Sequence, residues 1–259
     1  MKTLIYRLLF CGFFATATFN LQADPIQDLK QTLSSGDASA RASALQNFII
    51  SLGTVNGETL REPAIPILVQ ALSDPDAKVR QIAATGLKGI ATMNSPIVYP
   101  STPLGSDLTA PATQKALLKA TSDSDPTVSR LALQAYAMTY KLTPALEEKI
   151  IGAFNSYKPE HGHPDDRFEL LGALVNDRSP SPVAANFIVQ KIDDPRFGTT
   201  ALQSLASLKQ PPADALPKLL NEAQQHNISE DRKSALKMAA KVYGPNAQAQ
   251  LDQALANPK

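Results

Sequence analysis

Apolar and polar positions follow their most regular pattern over residues 64–91, AIPILVQALSDPDAKVRQIAATGLKGIA. Ile65, Leu68, Val69 and Leu72 recur at spacings of three and four, the period of one buried helical face. Asp74-Pro75-Asp76 interrupts the run. Val79, Ile82, Ala83, Leu87 and Ile90 then form a second apolar stripe, opposite a polar row of Lys78, Gln81, Thr85 and Lys88. The pattern predicts two amphipathic helices joined by a tight corner. Pro63 and Pro66 fit the first turns of the first helix, where a missing N–H costs little. Either corner aspartate can accept a hydrogen bond from the free amides that open the second helix, and each meets the positive end of its dipole.

The arrangement recurs along the chain. After Asp123-Ser124-Asp125-Pro126, the residues Val128, Leu131, Ala132 and Tyr136 repeat the offsets of Val79, Ile82, Ala83 and Leu87, with Arg130 one position later than Arg80 would place it. Residues 112–120 are predicted as the helix preceding that corner. Residues 24–33 and 38–52 predict an earlier pair, with Asp37 as the cap of its second helix. Later pairs are predicted over 144–154 with 164–175, 182–192 with 197–208 around Asp193-Asp194-Pro195-Arg196, and 216–223 with 230–243. In the first of these, Phe168, Leu171, Leu174 and Val175 are expected to point inward. Residues 247–256 read as a terminal capping helix. The segment 93–111, broken by Pro96, Pro100 and Pro103, has no helical period and is the longest predicted loop. No stretch alternates with period two, so strands are not expected. The expected fold is all-α, a right-handed α-α superhelix of about six helical pairs in one repeat domain over 24–259.

Ala64-Ile65-Pro66, Leu68, Leu72, Asp74-Pro75-Asp76, Val79-Arg80, Ala83-Ala84, Leu87 and Ile90 together resemble a HEAT repeat. Gly86 and Lys88 depart from it, at sites that often read Ala and Gly. The unit around Asp123 is a fair match, and the others share chiefly their corners and apolar rows. The resemblance implies a scaffold with no catalytic residues, in which second helices line a concave face that meets partners. It also implies a ladder in which a corner aspartate reaches the arginine of an adjacent unit, with Asp76 and Arg80 as its first candidates.

Charge and targeting narrow the function. The chain carries 25 Lys+Arg against 24 Asp+Glu over 259 residues, without the basic excess of a nucleic-acid surface. Lys2 and Arg7 precede an apolar core over residues 8–19, and Leu21-Gln22-Ala23 offers a cleavage site, so residues 1–23 are predicted as a signal peptide. That core is shorter than the roughly 18 residues a spanning helix needs, and no second long apolar run follows it, so the mature chain is not expected to span a membrane. Cys11, the single cysteine, lies within it. An exported chain, periplasmic or extracellular, would then fold without disulfides, as a monomer or weak oligomer.

Candidate chemistry is sparse. His161 and His163, with Asp165, form the one run with metal-ligand character, and a metal-binding protein or hydrolase using residues 161–166 is the alternative to a scaffold. Each residue there also has a local role, because Pro164 can start a helix that Asp165 or Asp166 caps. No G-x-S-x-G or phosphate-loop run occurs, so no cofactor and no enzymatic activity are expected. Lys78, Gln81 and Lys88, and the stripe Lys233, Lys237 and Lys241, are the candidate partner-binding residues on second helices. A protein partner with an acidic segment, or an anionic envelope polymer, would suit them.

Overall fold

The computed structural model describes residues 24–53, 59–93, 107–159, 165–176, 179–225 and 227–258. Among these it contains thirteen helices and no strand. The chain divides into two compact units, residues 1–64 and 65–259, with the boundary inside the third helix.

The described part of the first unit centres on α1 (Pro25–Ser35) packed against α2 (Ala38–Leu52). Both begin at an aspartate cap, Asp37 as the sequence predicts and Asp24 one residue before a helix expected to include it. Asp24 Oδ1 accepts from the Ile26 amide at 3.0 Å, and Asp37 Oδ1 from Ala40 at 2.8 Å. Leu29, Leu45, Phe48 and Leu52 are the side chains buried here.

The second unit holds α4 (Ala77–Met93), α5 (Pro111–Ala120), α6 (Pro126–Thr139), α7 (Pro144–Ser156), α8 (Arg167–Ala173), α9 (Pro182–Gln190), α10 (Gly198–Ala206), α11 (Ala215–Ala223), α12 (Glu230–Lys241) and α13 (Pro245–Ala256). α3 (Arg61–Ala71) leads into it. The second helix of each pair packs on the next, in the series α4, α6, α8, α10, α12. First helices flank this row: α5 lies on α6, α7 on α8 and α9, and α11 on α12 and α13.

The core follows the predicted stripes. Val79, Ile82, Ala83, Leu87 and Ile90 on α4 are buried, and so are Val128, Leu131, Ala132 and Tyr136 on α6. Each fully buried Leu or Ile contributes about 1.5–3 kcal/mol of apolar transfer, so stacking carries most of the stability of such an array. Aspartates start the second helices as expected: Asp76 Oδ1 accepts from Lys78 and Val79 amides at 2.8 and 3.2 Å, and Asp125 Oδ1 from Thr127 and Val128 at 2.9 Å each.

Several local expectations change. α3 begins at Arg61, so Pro66 sits inside the helix, where it removes one intrahelical hydrogen bond. Ile67 is buried in place of Val69, which is half-buried. α8 is described only from Arg167 to Ala173, shorter than the predicted 164–175, and Phe168 is 38% exposed. α13 begins at Pro245, two residues before the expected start, because Gly244 takes a φ of 94°, a left-handed conformation that glycine adopts without strain. The signal segment 1–23, residues 94–106 of the long loop, and all three histidines lie outside the described residues.

Candidate functional site: the second-helix face

The corners hold a ladder of charges. Arg80 on α4 reaches forward to Asp123 in the next corner through two parallel bonds, Nε to Oδ2 and Nη2 to Oδ1, each 2.9 Å. Its Nη1 also donates to the carbonyls of Asp74 and Pro75 at 3.0 Å. Asp76, the corner aspartate expected beside Arg80 in the ladder, instead caps its own helix. Burial pushes the Asp123 carboxyl up, but the Arg80 guanidinium and the Asp125 amide outweigh it and hold the group below the usual carboxylate range. Arg80 is raised in turn by its bond to Asp123.

The next rung joins Arg130 on α6 to Asp166 at the start of α8. Arg130 also lies over the Tyr157 ring, 4.9 Å from its centroid. The Asp166 side chain makes no cap bond to α8, and Asp165 Oδ1 accepts from the Arg167 amide at 3.1 Å instead. Asp165 also receives Arg167 Nε at 2.9 Å, and Arg167 Nη2 and Arg196 Nη2 at 2.7 Å each. The bond from Arg167, reinforced by the charge of Arg196, holds the Asp165 carboxyl below its usual range. A cation seeking Asp165 would therefore compete with two guanidiniums. His161 and His163 lie outside the described residues, among which no three metal-ligating side chains cluster.

Beside this ladder lies an open groove of about 620 Å³, bounded by the starts of α4 and α6 and the end of α7. Lys78, Gln81, Arg130, Tyr157, Lys158 and Asp166 line it. Gln81 donates from Nε2 to Asp125 Oδ2 at 3.1 Å, so its amide is partly committed to the corner. Arg130 is balanced by Asp166, whereas Lys78 and Lys158 are exposed and form no ion pair among the described residues. The groove is thus cationic and mostly polar, with Pro126, Ala153 and Tyr157 adding carbon surface.

The other candidates are spread out. Lys88, farther along α4, pairs with Glu169 on α8. Lys233 bonds Glu230 one turn back on α12 at 2.8 Å, and Lys237 and Lys241 are exposed on the same helix. None of these four lines the groove. Arg130, Tyr157 and Lys158 were not among the sequence candidates. Arg130 carried a signal, its place one residue past the repeat position, but the approach of the α7 end to α6 had none.

Residues 64–93 match the family model of the HEAT repeat. A search of curated proteins by sequence gives no match. Solved structures of like architecture include an engineered protein with a TM-score of 0.56, 16% identity, and coverage of 88% of this chain and 97% of its own. Another is one of a set of computationally designed armadillo repeat proteins for modular peptide recognition, with a TM-score of 0.56, 19% identity, and coverage of 84% and 99%. A further designed armadillo repeat protein gives 0.50 at 19% identity over 89% and 98%. The fold is therefore an all-α repeat solenoid of the HEAT and armadillo kind.

Proposed function

We propose that this protein is an exported, non-enzymatic binding module whose second-helix face holds a segment of a protein partner. The observation that carries the reading is the groove: polar side chains around it are fixed by the corner ladder, while Lys78 and Lys158 stay exposed and unpaired among the described residues. A preorganised surface of this kind loses little side-chain entropy on binding. The HEAT and armadillo fold supports it, since the same architecture serves designed proteins for modular peptide recognition. Export rests on the basic and apolar pattern of residues 1–23. The mature protein is a monomer or weak oligomer with no cofactor.

Capture from the exported fraction tests both parts. The mature protein is expected to begin at Asp24 on N-terminal sequencing, and to retain a stoichiometric protein that the doubly reversed variant Lys78→Glu, Lys158→Glu releases. Bound metal or hydrolytic turnover in place of a partner would overturn the reading and favour the segment 161–166.

A further inference from the structure

Gln134 on α6 is fully buried, and among the described residues neither its amide nitrogen nor its amide oxygen has a hydrogen-bond partner. Buried amides in folded proteins are almost always paired, because an unpaired one forfeits its hydration without compensation. Its place in the array is set by its neighbours. Arg130, Gln134 and Met138 stand four residues apart and form one stripe along α6. At one end Arg130 meets Asp166 on α8, and at the other Thr92 Oγ1 on α4 donates to Met138 Sδ at 3.2 Å. The stripe is thus flanked by α4 and α8, the two helices between which α6 packs. Lys88 lies one turn before Thr92, Glu169 three residues after Asp166, and these two side chains join across α6. Counted one turn along each helix from those contacts, the crossing falls at the level of Gln134, one turn from Arg130.

We propose that the Lys88–Glu169 pair is a displaceable strap over a peptide site, in which Gln134 hydrogen-bonds the backbone of an extended acidic segment lying along the groove. An extended residue offers one N–H and one C=O, the complement of the idle acceptor and donor of a glutamine amide. The Glu169 side chain is 43% exposed, and an ion pair this open is weak enough for a ligand to exchange. Opening it frees Lys88, which joins Lys78 and Lys158 as the third cation along the path, so the segment that gains most is acidic. The inference rests on the binding function proposed above and specifies the class of segment held.

Fluorescence anisotropy of the mature chain with a labelled decapeptide of alternating Glu and Gly tests it. Gln134→Leu is expected to weaken binding about tenfold, the worth of one lost pair of backbone bonds, while its melting temperature holds or rises. Glu169→Gln is expected to tighten binding about threefold, because it releases the strap and leaves Lys88 in place. Equal affinity of wild type and Gln134→Leu, equal binding of a Lys-Gly decapeptide, or no binding by either wild type or Glu169→Gln would overturn the proposal. Binding of a heparin oligosaccharide with the Glu-Gly peptide ignored would do the same. The captured partner separates the two levels: release by Lys78→Glu, Lys158→Glu without any effect of Gln134→Leu sinks the strap alone, whereas indifference to both sinks the face.

Discussion

From α4 to α8 the arginines reach forward, Arg80 to Asp123 and Arg130 to Asp166, each finding a carboxylate just before the second helix of the following unit. From α8 to α12 they reach back. Arg196 returns to Asp165, and Arg232 on α12 donates from Nη2 to the Ile192 carbonyl at 2.6 Å while its Nε holds Glu222 of α11 at 2.6 Å. The reversal has a cause in the corner between α9 and α10. Asp194 is used by the amides of Arg196 and Phe197, at 2.8 and 3.1 Å, and Asp193 pairs with Lys218. With both corner carboxylates engaged, Arg232 takes a backbone carbonyl and a buried glutamate. The rungs therefore differ in depth, since the side chains of Arg80 and Asp123 are each 13% exposed and that of Glu222 only 4%. A ladder can keep its function as a staple between units while exchanging every partner.

The deep rung hangs on Glu222. Glu222→Ala leaves the Arg232 guanidinium embedded without its carboxylate and is expected to cost about 3 kcal/mol, read by urea unfolding. A loss below about 1 kcal/mol would show that the deep rung is worth no more than an exposed one. Gly198 comes next. A Cβ there would run into the Ile192 carbonyl and both Arg232 terminal nitrogens, well inside van der Waals contact, and the carbonyl cannot swing aside as a side chain does. Gly198→Ala is expected to cost about 2 kcal/mol, with only part of the loss relieved in an Arg232→Ala background.

The forward rung is shallower and should be titratable. Asp123→Asn is expected to cost about 1 kcal/mol, with most of it absent when Arg80 is already Ala in a double-mutant cycle. Asp123 and Asp165 both lie below their ordinary pKa in the folded state. A carboxyl depressed in this way stabilises the fold above its unfolded pKa of about 4, and the contribution drains away as pH falls through the folded value. Stability measured from pH 5 downward should therefore drop below about pH 4, and Asp123→Asn should flatten part of that slope.

How far the chain could be read from its sequence follows the same division. Around residues 64–91 and 123–136 the apolar offsets, corner aspartates and second-helix arginines repeat, so helices, caps and buried rows were legible there from periodicity alone. The ladder was legible as a corner aspartate reaching an arginine of the adjacent unit, but not which aspartate: Asp123 takes Arg80, while Asp76 is used up as the cap of its own helix. Past Thr143 the helices were still found, but the rungs were not, since nothing local marks Glu222 or the Ile192 carbonyl as the partner of an arginine on α12. Gly198 reads in sequence as a weak helix residue, and its purpose exists only once Arg232 lies over it. Of the groove, Lys78 and Gln81 were visible as a polar row, whereas Tyr157 and Lys158 arrive by the packing of α7 beside α6. Gln134 was least legible of all: a glutamine on a helix reads as solvent-facing, and its burial depends on helices on either side.

The smallest expected effect probes how loops are fastened to the two kinds of unit. Tyr140 donates from its hydroxyl to the Leu108 carbonyl at 2.5 Å, anchoring the described end of the segment before α5, and Tyr243 does the same for Pro212 at 2.7 Å. Burial raises both phenols to about 12, with the neighbouring Tyr136 adding to the shift at Tyr140 and Asp214 at Tyr243. In the unfolded chain the same groups ionise near 10, so the folded state keeps its protons longer, and the stability they add is complete below about pH 10 and lost as pH rises toward 12. A spectrophotometric titration should show a late phenolate component that Tyr140→Phe and Tyr243→Phe each reduce by one group. If the two anchors are equivalent despite the drift between their units, each substitution should also cost a similar amount, about 1 kcal/mol for the lost hydrogen bond. A much larger loss at Tyr140 would show instead that the regular half relies on its loop anchor as the drifted half does not.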